Sequence, residues 1–140
     1  MGIPGADADD LSYDECLELL AVRAVGRVAL VARELLVVVP VNHRLIPMDG
    51  KLWVVFRTHE GGMLDQTDVR VAFEVDDADP ATKTGWSVLV QGTLHHLDAD
   101  TGDVRDRFDP APWPAAARER WMVIEPFAIS GRRIADQSVS

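Results

Sequence analysis

The chain has 140 residues, 47% of them hydrophobic, and a formal net charge of -9 from 23 acidic and 14 basic side chains. This length suffices for one compact domain with a buried core and is too short for two. Because polyanions are held mainly by Lys and Arg, the negative charge argues against nucleic acid and anionic membrane surfaces as partners.

Neither a membrane span nor a metal site is predicted. Arg33 and Glu34 interrupt the longest apolar zone, which falls short of the ~18 apolar residues that a spanning helix needs. The acidic N-terminus is not the pattern of a secretion signal, so we expect a cytoplasmic protein. The single cysteine, Cys16, excludes a Cys-rich zinc site. His95 and His96 are adjacent on a predicted strand, so they should point to opposite faces and cannot chelate one metal ion.

Residues 1–11 are expected to be a flexible lead, 12–134 a single domain and 135–140 a tail. Ser12 and Glu15 have the spacing of a capping box, which predicts a helix starting at Tyr13 and ending no later than Gly26. A second short helix is predicted from Pro114 through Arg120, since proline is tolerated in a first helical turn.

Six β-strands are predicted after the first helix from β-branched residues and turn signals. Their expected ranges are 27–32, 35–45, 52–58, 69–76, 86–97 and 121–125. Asp49-Gly50 predicts a tight hairpin between the second and third strands. The expected fold class is therefore mainly β with flanking helices, arranged as an antiparallel barrel.

Two strands have informative patterns. Val69, Val71, Phe73 and Val75 alternate with more polar residues, which predicts one buried and one solvated face. The strand from Leu52 is apolar on both faces, which indicates a central position in the sheet or a second buried surface such as a subunit contact.

The end of that strand and the loop after it have residues suited to binding a phosphate. Arg57 closes an apolar strand, and its planar guanidinium can hold two phosphate oxygens at once. Thr58 adds a hydroxyl, and Gly61 and Gly62 let backbone amides approach an anion. The alternative is a solvated strand end followed by an ordinary turn.

A series of short motifs runs in order through residues 12–134. They are Glu15-Cys16, residues 26–30, Pro40-Val41-Asn42, Arg57-Thr58, residues 71–76, residues 85–88 and residues 131–134. This series resembles the flavin-nucleotide-binding branch of the pyridoxamine 5'-phosphate oxidase-like family. The resemblance implies an FMN-binding split β-barrel of six antiparallel strands, which forms a homodimer with FMN in two symmetric clefts at the subunit interface.

The resemblance also implies positions for the cofactor contacts. Arg57 and Thr58 would hold the phosphate together with the loop of Gly61, Gly62 and Met63. The remaining implied contacts are Val41 and Asn42 along the isoalloxazine ring, Trp86 and Ser87 from the partner chain, and Arg132 near the open end of the cleft.

One loop departs from the family pattern. Where the family usually has Gly-Thr-Lys-Leu, this chain has Gly61-Gly62-Met63-Leu64, so a hydroxyl and an ammonium are missing. Loss of one charge-assisted contact costs about 1.5–3 kcal/mol, or roughly 10- to 100-fold in affinity. The expected function is a flavin-dependent oxidoreductase of unknown substrate, with no acid or base residue identified. The alternatives are a non-catalytic ligand-binding barrel with a degenerate phosphate site, or one that uses deazaflavin or haem.

Overall fold

The computed structural model describes residues 10–97 and 119–135. Within them every strand pairing is antiparallel, and the strands close into a barrel in the order β1-β2-β3-β6-β5-β4. The elements are α1 (Tyr13–Leu20), β1 (Val25–Ala32), β2 (Leu35–Met48), β3 (Lys51–His59), β4 (Val69–Asp79), β5 (Thr84–His96) and β6 (Glu119–Ile134). The predicted six-stranded, mainly β fold is confirmed.

Helix α1 begins as its capping box predicts. The Glu15 amide donates to Ser12 Oγ at 3.2 Å, and the Ser12 amide donates to Glu15 Oε1 at 3.0 Å. The chain joins the barrel just before this helix, because Leu11 is buried and its amide donates to the Gly131 carbonyl. No helix in the described ranges is long and apolar enough to cross a membrane.

Strand β6 is much longer than the predicted 121–125. It continues through Ile134 because a bulge absorbs one extra residue: Gly92 pairs with Pro126, whereas its neighbour Gln91 pairs with Ala128. The close approach at the bulge requires glycine, since a Cβ on Gly92 would lie 2.4 Å from the Glu125 carbonyl oxygen. Residues 126–134 therefore belong to the sheet.

The second predicted helix is wrong at its C-terminal end. Glu119 and Arg120 are the first two residues of β6, where Arg120 pairs with Thr58 and Glu119 with His59. Residues 114–118 of that predicted helix lie outside the described residues. The local helical propensity of Glu-Arg is outweighed at these two positions by the hydrogen bonds that the edge of β3 offers.

Strand β3 is buried on both faces, as its sequence predicts. Val54 and Phe56 belong to the main core inside the barrel, whereas Trp53 and Val55 belong to a second apolar cluster. Because every strand of the closed barrel has two neighbours, a central position alone does not explain this pattern, and the outer face of β3 is buried by the second cluster. In β4, Val71, Phe73 and Val75 are buried, which confirms the predicted alternation.

Two truncations to alanine, one of a leucine inside the main core and one of a valine outside it, should differ clearly in their effect on the free energy of unfolding. Leu94 is fully buried, so Leu94→Ala should lower the free energy of unfolding by about 2–5 kcal/mol. Val22 is mostly exposed, and Val22→Ala should change it by less than about 0.5 kcal/mol. Urea denaturation of the two variants and the wild type measures both values, and similar losses for the two would contradict this description of the core.

Candidate functional site

The predicted cofactor contacts fall into two groups near opposite ends of β6. Arg57 pairs with Trp121 at one end, whereas Ser87 pairs with Arg132 at the other. With roughly 3.3 Å of rise per residue, Trp121 and Arg132 are separated by about 35 Å of strand. One chain therefore does not bring the two groups together.

Arg57 is held at the end of β3 by a carboxylate and an aromatic ring. Its Nη1 lies 3.1 Å from Glu119 Oε2, and its guanidinium carbon lies 5.6 Å from the centre of the Trp121 ring. Such contacts orient a guanidinium and reduce its conformational freedom. Sequence reasoning did not find Glu119, because its position next to Arg57 depends on the β3–β6 register.

The loop that contains Gly61, Gly62 and Met63, here called the glycine loop, uses its amides in hydrogen bonds to its own residues. The Gly61 amide donates to Asp65 Oδ2 at 2.7 Å, and the Gly62 amide donates to the His59 carbonyl at 3.0 Å. Both amides that the sequence suggests for anion binding thus have acceptors within the protein. Met63, at the position of the family lysine, is 48% exposed, so its side chain points toward solvent.

Asp65 is the central polar residue of this loop, and sequence reasoning missed it. Its carboxylate is only 9% exposed and lies 2.7 Å from His96 Nε2 and 3.1 Å from Arg120 Nε. Burial by itself would raise the pKa of Asp65, but the Gly61 amide, His96 and Arg120 together lower it. These contacts fix the loop over the end of the barrel, where Leu64 inserts into the main core.

Alternation along the strands separates the other predicted contacts. Val41 is buried in the main core, and Trp86 packs against that core, so both side chains face the barrel interior. The outer face instead includes Asn42, Ser87 and Arg132, each of which is exposed or partly exposed. Asn42 directly precedes His43, which pairs with Phe56 at the end of the β2–β3 ladder, so Asn42 and Arg57 lie next to the same end of this ladder.

Arg132 fits a role in holding a ligand. Its Nε is buried and has no hydrogen-bond partner among the described residues. A buried donor without an acceptor is costly, and an oxygen of a bound molecule would satisfy it. The neighbouring Arg133 differs, because its Nη2 donates to Glu15 Oε2 at 2.8 Å and ties β6 to α1.

A shallow cavity of about 260 Å³ opens on the outer face of the barrel. Its lining residues are Arg27, Ala29, Val38, Ala72, Glu74, Asp76 and Leu89. Arg27 Nη1 lies 3.0 Å from Glu74 Oε1 and 2.9 Å from Asp76 Oδ2. Burial, followed by the hydrogen bond and charge of Asp76, raises the pKa of Glu74 to about 7 despite Arg27.

No cluster of three or more His, Cys, Asp or Glu side chains within residues 10–97 and 119–135 is arranged to hold a metal ion. His95 lies beside Asp68 and Glu125, whereas His96 binds Asp65. The two adjacent histidines therefore connect different carboxylates to the end of the barrel, which is a structural role.

The fold and the ordered motifs define a family. Residues 12–133 match the family model described as pyridoxamine 5'-phosphate oxidase, and the chain belongs to this family. The resemblance seen in the sequence is thereby confirmed.

Three similar proteins accompany this match. An uncharacterised protein of Mycobacterium tuberculosis is 33% identical over 136 residues, covering 92% of this chain and 87% of that protein. The structure of an FAD binding protein from Mycobacterium smegmatis is 32% identical with a TM-score of 0.75, covering 91% of this chain and 98% of that one. The structure of an FAD and haem binding protein from the same organism is 16% identical with a TM-score of 0.68, covering 91% and 74%, and shows the fold alone.

The contacts of Asp65 predict an acid-sensitive loop. The folded pKa of Asp65 lies below its ordinary value of 3.8, so its contribution to stability is present above that pH and is lost as the pH falls below it. Asp65→Asn should therefore be less stable than the wild type at pH 7, and the difference should shrink below about pH 4.

Thermal unfolding at pH 3 to 7 tests this, with Asp49→Asn in the exposed β2–β3 turn as the matched control. The control should stay close to the wild type throughout. A constant difference between Asp65→Asn and the wild type across the pH range would contradict the predicted role of this carboxylate.

Proposed function

We propose that this protein binds a flavin nucleotide and acts as a flavin-dependent oxidoreductase, working as a homodimer with the flavin in a cleft between two chains. The separation of Arg57 from Ser87 and Arg132 along β6 carries this proposal. In a two-fold dimer, one end of β6 from each chain can meet the opposite end from its partner. Family membership and the FAD binding relative at 32% identity support the choice of flavin.

Under this proposal the two groups of residues have different tasks. Arg57 and Thr58 of one chain would bind phosphate oxygens, while Ser87 and Arg132 of the second copy would hydrogen-bond polar atoms of the flavin. Asn42, next to Arg57 at the end of the β2–β3 ladder, would orient the ring. The flavin supplies the redox chemistry, and the protein supplies binding and orientation.

The phosphate site favours FAD over FMN. The terminal phosphate of FMN is a monoester that concentrates a charge of about -1.5 to -2 on one phosphorus centre at pH 7, whereas FAD spreads a similar total charge over two phosphates with a single charge each. Here Met63 replaces the family lysine, the two glycine amides have acceptors in the loop, and Arg57 already contacts Glu119. A site with so few available donors suits the less charged phosphate.

Flavin titrations test the proposal. FAD should bind at least about 10-fold more tightly than FMN, and Arg57→Gln should weaken FAD binding by about 10- to 100-fold. Lys51→Gln, in the β2–β3 hairpin, removes a cation elsewhere and should leave the affinity unchanged.

The absorbance spectrum of the protein purified from its native host distinguishes flavin from deazaflavin and haem. Failure to bind either flavin nucleotide after reconstitution would contradict the proposal.

A second candidate function is a non-catalytic ligand-binding barrel of the same fold. The self-closed glycine loop with Met63 favours it, because a phosphate loop normally keeps its amides for the ligand. Under this alternative the cleft would take an uncharged molecule in place of a flavin nucleotide.

Placing the family lysine at position 63 distinguishes the two candidate functions. Met63 is exposed, so Met63→Lys can place an ammonium near a bound phosphate without disturbing the core. If the flavin site is intact, Met63→Lys should raise FMN affinity by about 10- to 100-fold, whereas Met63→Gln should not. Equal FMN affinities for the wild type and both variants would favour the non-catalytic function.

A further inference from the structure

The outer face of β1, β2, β4 and β5 exposes apolar side chains to solvent. Leu36 is 87% and Val38 is 64% exposed, and they lie opposite Val31 and Ala29 of β1. Ala29 in turn lies opposite Ala72 of β4, so the apolar surface continues across the sheet. Contiguous apolar surface of this kind marks an interaction site in soluble proteins.

A charged cluster lies next to this apolar surface. Arg27 of β1 contacts both Glu74 and Asp76 of β4, so one cation faces two carboxylates. From β5, the residues opposite the two carboxylates are Leu89 and Ser87, which carry no charge. The other cations on the outer faces of the neighbouring strands are Arg44 of β2, Arg70 of β4 and Arg132 of β6. With both carboxylates ionised, the cluster therefore has a net charge of minus one.

We infer that a second copy of this chain docks on the outer face of β1, β2, β4 and β5, and that docking is linked to proton uptake by the Glu74–Asp76 carboxyl pair. This rests on the homodimer of the proposed function and adds the condition that controls its formation.

Two observations favour a second copy as the occupant. The candidate cofactor residues are split between the two ends of β6, and Ser87 and Arg132 lie on this same outer face, so the site is incomplete without another chain. The face is also largely apolar, and Arg27 at its charged edge already contacts both carboxylates of its own chain. An acidic or basic partner would match only part of it.

Proton uptake on docking is expected because burying a charge is costly. A net negative charge that is partly exposed in the monomer loses solvent when the partner covers it, and an unpaired buried charge is expensive. Protonation of one carboxyl removes that charge and leaves a hydrogen bond between the two carboxyl groups. Burial and Asp76 already raise the pKa of Glu74 to about 7 in the single chain, so the proton is available near neutral pH.

The direction of the pH dependence is thereby determined. Above about pH 7 the single chain is deprotonated at this pair, so dimerisation takes up protons and weakens as the pH rises. Below that pH the pair is protonated in both states, and the dimer affinity should level off. With one proton per chain, the dissociation constant can change by up to about 100-fold per pH unit.

Sedimentation of the full chain at constant ionic strength from pH 6 to 9 tests the inference. The wild-type dimer should be at least about 10-fold tighter at pH 7 than at pH 8.5. Glu74→Gln should remove this dependence and keep the dimer tight at pH 8.5, whereas Glu18→Gln, on the exposed side of α1, should behave like the wild type. Leu36→Asp should be a folded monomer by circular dichroism at every pH.

Any one of four results would overturn the inference. The first two concern the wild type: a dissociation constant that does not change with pH, or a dimer that resists dilution to about 1 nM at pH 8.5. The other two concern the variants: a pH-dependent dissociation constant in Glu74→Gln, or a dimeric Leu36→Asp. FAD titrations on the same samples separate it from the proposed function. A flavin-binding dimer with a flat profile rejects only the proton linkage, whereas a proton-linked dimer that binds no flavin rejects only the flavin.

Discussion

The pairing of β6 with both β3 and β5 is the constraint on which the rest of the structure depends. Residues 119–124 of β6 pair with β3, and residues 122–134 pair with β5, so this one strand closes the barrel. The Gly92 bulge allows β6 to continue across both neighbours. The same geometry holds Arg57 and Arg132 far apart, which is why the proposed site needs two chains.

Local patterns predicted much of this fold. Three local patterns are retained in the tertiary structure. They are the capping box at Ser12, the alternation from Val69 and the strand from Leu52 that is apolar on both faces. The length of β6 was not predictable, because its C-terminal half is stabilised by pairing with β5 through a bulge. The strand structure of Glu119 and Arg120 likewise depends on β3, which no local propensity reveals.

The candidate site was predictable as residue types and not as an arrangement. Arg57 and Arg132 stand out by chemistry, but the register determines that Arg57 meets Glu119 and that Arg132 Nε has no acceptor among residues 10–97 and 119–135. The glycines suggest an anion loop, whereas Asp65 and His59 accept their amide hydrogen bonds. Asp65, Arg120 and the Arg27–Glu74–Asp76 cluster depend on contacts between distant segments, so only the fold reveals them.

A subunit complementation experiment tests most directly whether the flavin site is shared between two chains. Arg57→Gln and Arg132→Gln chains should each bind FAD weakly alone. In a mixed dimer, one cleft combines the intact Arg57 of one chain with the intact Arg132 of the other, so mixing should restore tight binding at one FAD per heterodimer. Weak binding that persists after mixing, in dimers verified to contain both chains, would contradict a shared site.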